Sequence, residues 1–347
     1  MKNFKIITGI ALMSILGFTS CQSEIDNTQG QNPNTNAANS TTANNFKRTA
    51  MYDGSSDDFL DGTSCSSIVL PATARINGIQ VSLFSQFDYQ QVISILASNN
   101  MNEDVVELQF PLKVKLSNYS EVTINNQNEY NTLMQTCGSA ESANQDAISG
   151  INIDFPISIM TYSLSKVETG SVVIQSEQDL YLYMSTLTSD KLFSINYPIS
   201  ITNSAGAEST ISSDVDFQSR INESISAKAT MEIAATNAHK LETILVNGMF
   251  KVDSFVDAGV NSATNYAAYT MDFASNLTLA ATSSTSSTVS GTYAASSDLN
   301  VLLKLNFNGF TSLNLLNNTW KVTSFSATTI SLQSQTNAAV TLVLKQI

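Results

Sequence analysis

A fourfold internal repeat between residues 65 and 225 constrains the fold of this chain more than any other feature. Its landmark is an aromatic residue or a leucine followed by proline, at intervals of about 40 to 45 residues: Leu70-Pro71, Phe110-Pro111, Phe155-Pro156 and Tyr197-Pro198. Two short segments of alternating apolar and polar residues follow each proline, which is the pattern of half-buried strands. Because proline cannot donate to a β-ladder, each proline is expected at a strand start or a sheet edge.

A helix start follows the second strand of every repeat. The four starts share a Ser or Asn with an acid three residues later: Ser85-x-x-Asp88, Asn126-x-x-Glu129, Ser176-x-x-Asp179 and Ser213-x-x-Asp216. That spacing predicts an N-cap with an acid in the first turn. A metal or sugar site built from the four acids is the alternative, but capping explains the spacing without a ligand.

Each repeat therefore predicts a strand–strand–helix unit. Odd and even units differ slightly, which indicates two tandem pairs, 65–137 and 151–225. The expected fold class is α+β, in which tandem β-β-α repeats over residues 63–225 form an antiparallel sheet with helices on one face. The segment 226–244 is rich in alanine and other helix formers and predicts a connecting helix. It contains the only histidine, His239, for which an exposed linker position is favoured over a catalytic base or a metal ligand.

From residue 245 to 347 the pattern is all β. Eight candidate strands follow one another, at 249–256, 266–273, 277–281, 288–294, 300–306, 319–325, 328–333 and 340–346. Eight short sequential strands predict an up-and-down barrel or a closed meander. Its inward side chains either fill the interior or line a ligand cavity. The residues expected to line such a cavity are Phe250, Phe255, Tyr269, Phe273, Tyr293 and Trp320.

The segment 21–62 is predicted to be a disordered tether. Most of it is polar and lacks apolar periodicity, so folding would bury too little apolar surface to offset the loss of chain entropy. Its acidic stretch 52–60 does not match the spacing of an EF-hand loop, which favours a solvated acidic leash over a calcium site. Beyond it, Cys65 and Cys137 bracket the first repeat pair, and they form either a disulfide or two buried free thiols.

The first twenty residues predict a signal peptide. Lys2 and Lys5 precede an apolar run, 6–18, which is too short to span a bilayer as a mature helix. The sequence Phe18-Thr19-Ser20-Cys21 resembles the lipobox of bacterial lipoproteins, which implies cleavage before Cys21 and lipidation of its sulfur. The lipid bilayer is then a partner through the acyl chains on Cys21.

The residues after Cys21 refine the expected location. Glu24 and Asp26 resemble the acidic export signal of Bacteroidetes lipoproteins, and Gln22 differs from the Asp that retains some lipoproteins at an inner membrane. The resemblance implies an outer-membrane lipoprotein that faces the cell surface, with the periplasmic leaflet as the alternative.

The repeat motifs ahead of a β domain also resemble a group of uncharacterised Bacteroidetes lipoproteins, over nearly all of the mature chain. In addition, Gly248-x-Phe250-x-Val252 resembles the Gly-x-Trp opening of lipocalin-like domains, with Phe in place of Trp. The lipocalin resemblance implies a barrel for small apolar ligands.

Composition and motifs narrow the function classes. The net charge of −13 argues against nucleic acid as a partner, because phosphate binding needs clustered Lys and Arg. The sequence contains no HExxH, CxxC or P-loop motif and only one histidine, so no catalytic residue, no cofactor and no metal is predicted. The favoured function is a non-catalytic binding or surface-interaction lipoprotein whose partner is a small apolar ligand, a protein or a glycan. A structural envelope protein or adhesin and a glycan-capturing accessory lipoprotein are the alternatives.

Overall fold

A computed structural model describes residues 32–98, 104–283, 285–309 and 312–347 of the chain. The elements up to the end of the first repeat pair are β1 (Asn36–Ala37), α1 (Thr41–Thr49), α2 (Asp58–Asp61), β2 (Ser66–Val69), β3 (Ala72–Ile76), β4 (Ile79–Leu83), α3 (Tyr89–Ser98), β5 (Val106–Leu108), β6 (Leu112–Leu116), β7 (Glu121–Ile124) and α4 (Gln127–Ser142).

The second repeat pair and the C-terminal region follow. The second pair comprises β8 (Ile151–Ile153), β9 (Ile157–Ser163), β10 (Glu168–Ile174), α5 (Glu177–Thr186), β11 (Lys191–Ile195), β12 (Ile199–Asn203), β13 (Glu208–Ile211) and α6 (Asp214–Val246). The C-terminal strands are β14 (Met249–Asp257), β15 (Val260–Asn261), β16 (Tyr269–Phe273), β17 (Thr278–Ser283), β18 (Val289–Ser297), β19 (Val301–Phe307), β20 (Asn318–Phe325), β21 (Thr329–Ser334) and β22 (Thr341–Gln346). In the part of the chain described above, no helix is both long and apolar enough to cross a membrane.

Every repeat contains the predicted hairpin and capped helix. The hairpins are β3–β4, β6–β7, β9–β10 and β12–β13, each antiparallel. The caps have the predicted geometry: the Asn126 side chain accepts a hydrogen bond from the Glu129 amide at 3.0 Å, and the Ser176 hydroxyl accepts one from the Asp179 amide at 3.2 Å. Each of the four prolines directly precedes a hairpin strand, as expected, and all four X–Pro bonds are cis.

A strand before each proline pairs with the other repeat of its pair. Strand β2 precedes the first hairpin but pairs with β6 of the second, whereas β5 precedes the second hairpin and pairs with β3 of the first. The second pair does the same, because β8 joins β12 and β11 joins β9. The predicted α+β class with antiparallel sheets is confirmed, but the described repeats do not share one sheet: they form four small sheets, and each contains strands from two repeats.

The segment predicted as a disordered tether is folded from residue 32 onward. Helix α1 is capped by Ser40, whose hydroxyl accepts a hydrogen bond from the Ala43 amide at 3.0 Å. Phe46 is fully buried and its ring stacks on Phe217 at 3.9 Å. The Asn36 side chain donates to Asp214 at 2.6 Å. The prediction of disorder from polar composition was wrong, because one buried aromatic side chain and several side-chain hydrogen bonds order this segment without an apolar stripe.

The chain folds into two compact units, and each is built from two separate stretches of sequence. Among the described residues, the first unit consists of 32–50 together with 152–218, and the second consists of those within 51–151 together with those within 219–347. The connecting helix predicted at 226–244 is longer than expected, since α6 runs without a break from Asp214 to Val246. Its first turn belongs to the first unit and the remainder to the second.

The C-terminal region is a closed antiparallel barrel of eight strands. The order is β14-β16-β17-β18-β19-β20-β21-β22, and β14 pairs with β22 to close it. Strand β15 adds a short ninth segment beside β14. The eight predicted strand segments coincide with these eight strands to within three residues at each end, because alternation and turn residues set both the strands and their boundaries.

Helix α6 contributes to the barrel core. Four residues on one face of the helix, at positions i, i+4, i+7 and i+11, belong to the same buried cluster as the barrel's aromatic residues: Ala234, Ala238, Leu241 and Leu245. The spacing is that of an amphipathic stripe. The segment therefore does more than connect two domains, because it covers apolar barrel surface.

Candidate functional site

The six residues predicted to line a ligand cavity instead pack against one another and their neighbours. Phe250, Phe255, Phe273, Tyr293 and Trp320 are buried, and Tyr269 is partly buried at the edge of the same cluster. Their rings meet edge to face. The centroids are 5.8 Å apart for Phe250 and Phe273, 5.1 Å for Phe273 and Tyr293, and 6.4 Å for Phe255 and Trp320. Such edge-to-face contacts are what the filled-core alternative predicts for these side chains.

The polar atoms of these aromatic side chains bond to the protein's own backbone. The Trp320 indole Nε1 donates to the Leu316 carbonyl at 3.0 Å, and the Tyr293 hydroxyl donates to the Ala274 carbonyl at 3.0 Å. Burial, with a smaller contribution from the Glu242 charge, raises the pKa of Tyr293 to about 12. Both donors are therefore engaged with backbone carbonyls of the barrel region.

Cys65 and Cys137 are joined in a disulfide, with Cα atoms 5.7 Å apart. The bond ties the residue before β2 to helix α4 of the second repeat. It closes a loop of 72 residues in sequence separation. In the chain-entropy model, a loop of that size stabilises the fold by roughly 4 kcal/mol. Of the two alternatives left by the sequence, the structure contains the bridge.

A cavity of about 220 Å³ lies beside the disulfide. Four carboxylates and one ammonium group line it, together with both cysteines: Asp58, Glu141, Asp146, Glu232 and Lys228. The Lys228 Nζ lies 3.9 Å from Glu232 Oε1, and both side chains are partly exposed, so the pair adds little stability. Among residues 32–98, 104–283, 285–309 and 312–347, no three His, Cys, Asp or Glu side chains are placed to hold a metal ion.

Two aspartates next to this cavity are buried, which corrects the prediction that this acidic stretch is a solvated leash. Asp57 Oδ1 accepts a hydrogen bond from the Ser67 hydroxyl at 2.5 Å, and its Oδ2 accepts one from the Ile68 amide at 2.7 Å. Asp61 accepts hydrogen bonds from the Thr63 amide at 3.1 Å and from the Ser66 hydroxyl at 3.3 Å. These carboxylates fasten the segment before β2 to β2 itself.

Burial raises the pKa values of both aspartates. Desolvation, followed by the charges of Asp57 and Asp58, raises the pKa of Asp61 to about 8. Desolvation also raises the pKa of Asp57. The chain can approach this closely because residue 54 is glycine: a Cβ there would collide with the Ser66 carbonyl oxygen. No sequence motif distinguishes these two acids from exposed ones, since the segment has no apolar periodicity.

Among the described residues of the second unit, the most exposed aromatic side chains lie in the turn between β4 and α3. Phe84 is 75% exposed and Phe87 is 91% exposed. The turn that presents them is firmly held, because Asp88 Oδ2 accepts hydrogen bonds from the Phe84 amide at 2.8 Å and the Ser85 amide at 2.9 Å. These bonds keep the pKa of Asp88 below its usual value. Two large apolar side chains are thus displayed on a fixed backbone.

The other three repeats show that this turn does not need phenylalanine. The Glu129 carboxylate accepts the equivalent hydrogen bond from the Asn125 amide at 2.9 Å, and the Asp216 carboxylate accepts one from the Ser212 amide at 3.0 Å. The residues that correspond to Phe84 and Phe87 are Asn125 and Asn128, Gln175 and Gln178, and Ser212 and Val215. The backbone is therefore stable with polar side chains at five of these six positions.

Sequence reasoning identified Ser85 and Asp88 as a cap but missed the two phenylalanines. The signal was available in the alignment of the four repeats, where Phe84 corresponds to Asn, Gln and Ser, and Phe87 corresponds to Asn, Gln and Val. His239 is exposed as predicted, with 79% of its side chain accessible, and its Nδ1 lies 3.9 Å from Glu242 Oε2. The signal segment, Cys21 and the acidic residues after it lie outside the described residues.

Comparisons with family models, with curated proteins and with solved structures give no match for this chain.

Proposed function

We propose that this chain is an exported lipoprotein, anchored to the outer membrane through Cys21 and facing the cell surface, where it acts as a non-catalytic interaction protein. The observation on which the interaction rests is the capped turn that displays Phe84 and Phe87. Fully burying one Phe side chain contributes about 1.5 to 3 kcal/mol, and aromatic residues are enriched at protein interfaces. A rigid turn adds to affinity because little conformational entropy is lost on binding.

Export is supported by how the three cysteines are used. Cys65 and Cys137 are joined in a disulfide, and such bonds persist in oxidising compartments outside the cytosol. The remaining cysteine, Cys21, is the one that follows the lipobox-like sequence Phe18-Thr19-Ser20. Disulfide formation and lipidation therefore imply the same route out of the cytosol.

A protein partner fits the described residues better than a small ligand or a glycan does. The barrel is lipocalin-like in its eight-stranded meander, but its aromatic side chains pack on one another. The only tryptophan, which would be a natural platform for a sugar ring, is fully buried. The exposed apolar surface at Phe84 and Phe87 is of the kind that marks protein interaction sites.

Membrane fractionation of a Cys21→Ser variant tests the anchor. We expect the wild-type chain in the membrane fraction and the variant outside it, with an acyl mass on the N-terminal peptide of the wild type only. Protease treatment of intact cells then reports the leaflet, because a surface-facing chain is cleaved without lysis. A Cys21→Ser chain that still pellets with membranes would contradict the anchoring.

Crosslinking in intact cells tests the interaction. A photo-crosslinking residue within the turn, at Gln86, should capture a distinct partner, and the double variant Phe84→Asn and Phe87→Asn should lose that adduct. These replacements copy the second repeat, so the cap and the fold are expected to persist. The matched control is Val215→Asn, which changes the exposed residue at the corresponding position of the fourth repeat and should leave the adduct intact. Equal adducts in all three chains would exclude the turn as the binding site.

A further inference from the structure

The four-stranded sheet of the first unit has one long open edge. Its order is β1-β11-β9-β10, and β1 covers one side by pairing Asn36 with Phe193 and Ala37 with Leu192. Strand β10 is the last strand on the other side, and no described strand pairs with its outer edge. β10 has seven residues, whereas the corresponding edge strands β4, β7 and β13 have five, four and four.

The side chains of β10 also differ from those of its counterparts. Each hairpin ends on a buried Leu or Ile, and the residue before it is Ser82, Thr123 or Thr210 in the other repeats but Val173 in the third. Val173 is 53% exposed. One residue further back, Val81 of the first repeat is 1% exposed, whereas its counterpart Val172 is 39% exposed. Two adjacent valines on opposite faces of β10 are thus left uncovered.

The regular part of this edge lacks the residues that usually discourage strand pairing. The register with β9 shifts between Glu168 and Gly170, so the regular stretch is 170–174, with the sequence Gly-Ser-Val-Val-Ile. It contains no charge and no proline. Natural edge strands commonly use lysine, proline or inward-pointing charges to prevent pairing with another chain. This edge is therefore open in both its backbone and its side chains.

We propose that β10 pairs with β10 of a second copy of this chain, antiparallel and centred on Val172. In that register Val172 faces its own counterpart, Ser171 faces Val173 and Gly170 faces Ile174. The nearest charge, Glu168, faces Ser176, so no like charges meet across the axis. The interface is isologous, as a two-fold dimer requires, and it joins two four-stranded sheets into one of eight strands.

The pairing adds a strand by the same means that the sheet already uses at its other edge. Main-chain hydrogen bonds supply the attraction, and the uncovered valines supply apolar contact. A five-residue strand pair buries less surface than a standard protein interface, so the dimer is weak in dilute solution. Two copies tethered to one membrane meet at a much higher effective concentration, a step that rests on the proposed anchoring at Cys21.

A cysteine at the two-fold axis tests the pairing in the full-length chain. Facing residues of an antiparallel pair have Cβ atoms about 4.5 to 5.5 Å apart, so Val172→Cys should form a disulfide with its own copy. On membranes of expressing cells we expect a dimer band that reductant removes. The matched control is Ser209→Cys, the corresponding position on the edge strand β13. The dimer band should be at least about tenfold weaker in this control. Equal bands, or no dimer from Val172→Cys, would overturn the proposal.

A second substitution separates pairing from chance collision. Adding Val173→Lys to the Val172→Cys chain places a charge beside the axis and should abolish the dimer band, whereas adding Thr210→Lys on β13 should leave it. If both double variants crosslink equally, the pairing is excluded. The membrane fraction reports the anchor independently: an anchored chain that does not crosslink contradicts the pairing alone, and a soluble chain that crosslinks when concentrated contradicts the anchoring alone.

Discussion

The buried aspartates Asp57 and Asp61 show how strongly a single site can depart from what its sequence indicates. Both carboxyls lie against the strand β2, and a hydroxyl and a backbone amide donate to each of them. Tyr130 reaches the same place, since its hydroxyl donates to the Asp61 carbonyl oxygen. Burial of an acid without a cation favours the neutral form, which is why the pKa of Asp61 rises to about 8.

This shift predicts that the protein is more stable in mild acid than at pH 8. The pKa of Asp61 is higher in the folded chain than its ordinary value of 3.8, so the folded state binds the extra proton between those values. The stabilisation is complete below about pH 4 and is lost as the pH rises through about 8. Asp57 acts in the same direction.

Thermal unfolding of the wild type and of Asp61→Asn at pH 5 and pH 8 measures the effect. The wild type should melt at a lower temperature at pH 8, and the variant should show a smaller difference between the two pH values because its side chain cannot ionise. Asp88 and Glu129 do not contribute to the difference between pH 5 and pH 8, since their pKa values are lowered and they titrate below this range. A wild type that melts higher at pH 8 would contradict the assignment.

At the scale of elements, the helix caps are the features that the sequence predicted most fully. In the second repeat, the Asn126 side chain accepts a hydrogen bond from the Glu129 backbone amide, and the Glu129 carboxylate accepts one from the Asn125 backbone amide. These contacts span three or four residues, so their spacing is visible in the sequence itself. The barrel strands were predictable for the same reason, because alternation is also a local signal.

We expect Asn126→Ala to lower the free energy of unfolding by about 1 kcal/mol, the usual cost of removing an N-cap side chain. Asn126→Ser should restore most of that loss, because a hydroxyl can accept the same bond. Chemical denaturation followed by circular dichroism provides the measurement. Asn128→Ala, an exposed position two residues further along the same helix, is the control and should change little. An equal loss in both alanine variants would show that the cap adds no stability of its own.

At the scale of the whole molecule, the long-range pairings could not be deduced from the repeat. A strand's sequence specifies which of its faces is buried but not which hairpin it joins, so the placement of β2 on β6 was missed. The folding of residues 32–50 was missed for a similar reason, since Phe46 meets Phe217 more than 150 residues away in sequence. The edge-to-face contacts among the barrel's aromatic rings likewise depend on how side chains meet across strands.

The disulfide is a long-range contact that the sequence offered as one of two alternatives, because two cysteines bracket the first pair. The double variant Cys65→Ser and Cys137→Ser should be less stable than the wild type by about 2 to 5 kcal/mol under oxidising conditions. The difference should disappear in reductant, where both chains lack the bond. Calorimetric unfolding with and without dithiothreitol makes the comparison. A difference that persists in reductant would instead reflect the packing of the serine side chains.

The strand before each proline pairs with the hairpin of the other repeat, so the smallest unit that can be duplicated with its sheets intact is a pair of repeats. A single repeat cut from the chain loses the strand that completes its sheet and keeps one that belongs to its neighbour. If the gene had gained its repeats one at a time, an intermediate protein would have contained a strand without a pairing partner. Doubling in steps of two avoids that intermediate, and recombination that swaps whole pairs should give folded chimaeras where exchange of single repeats does not.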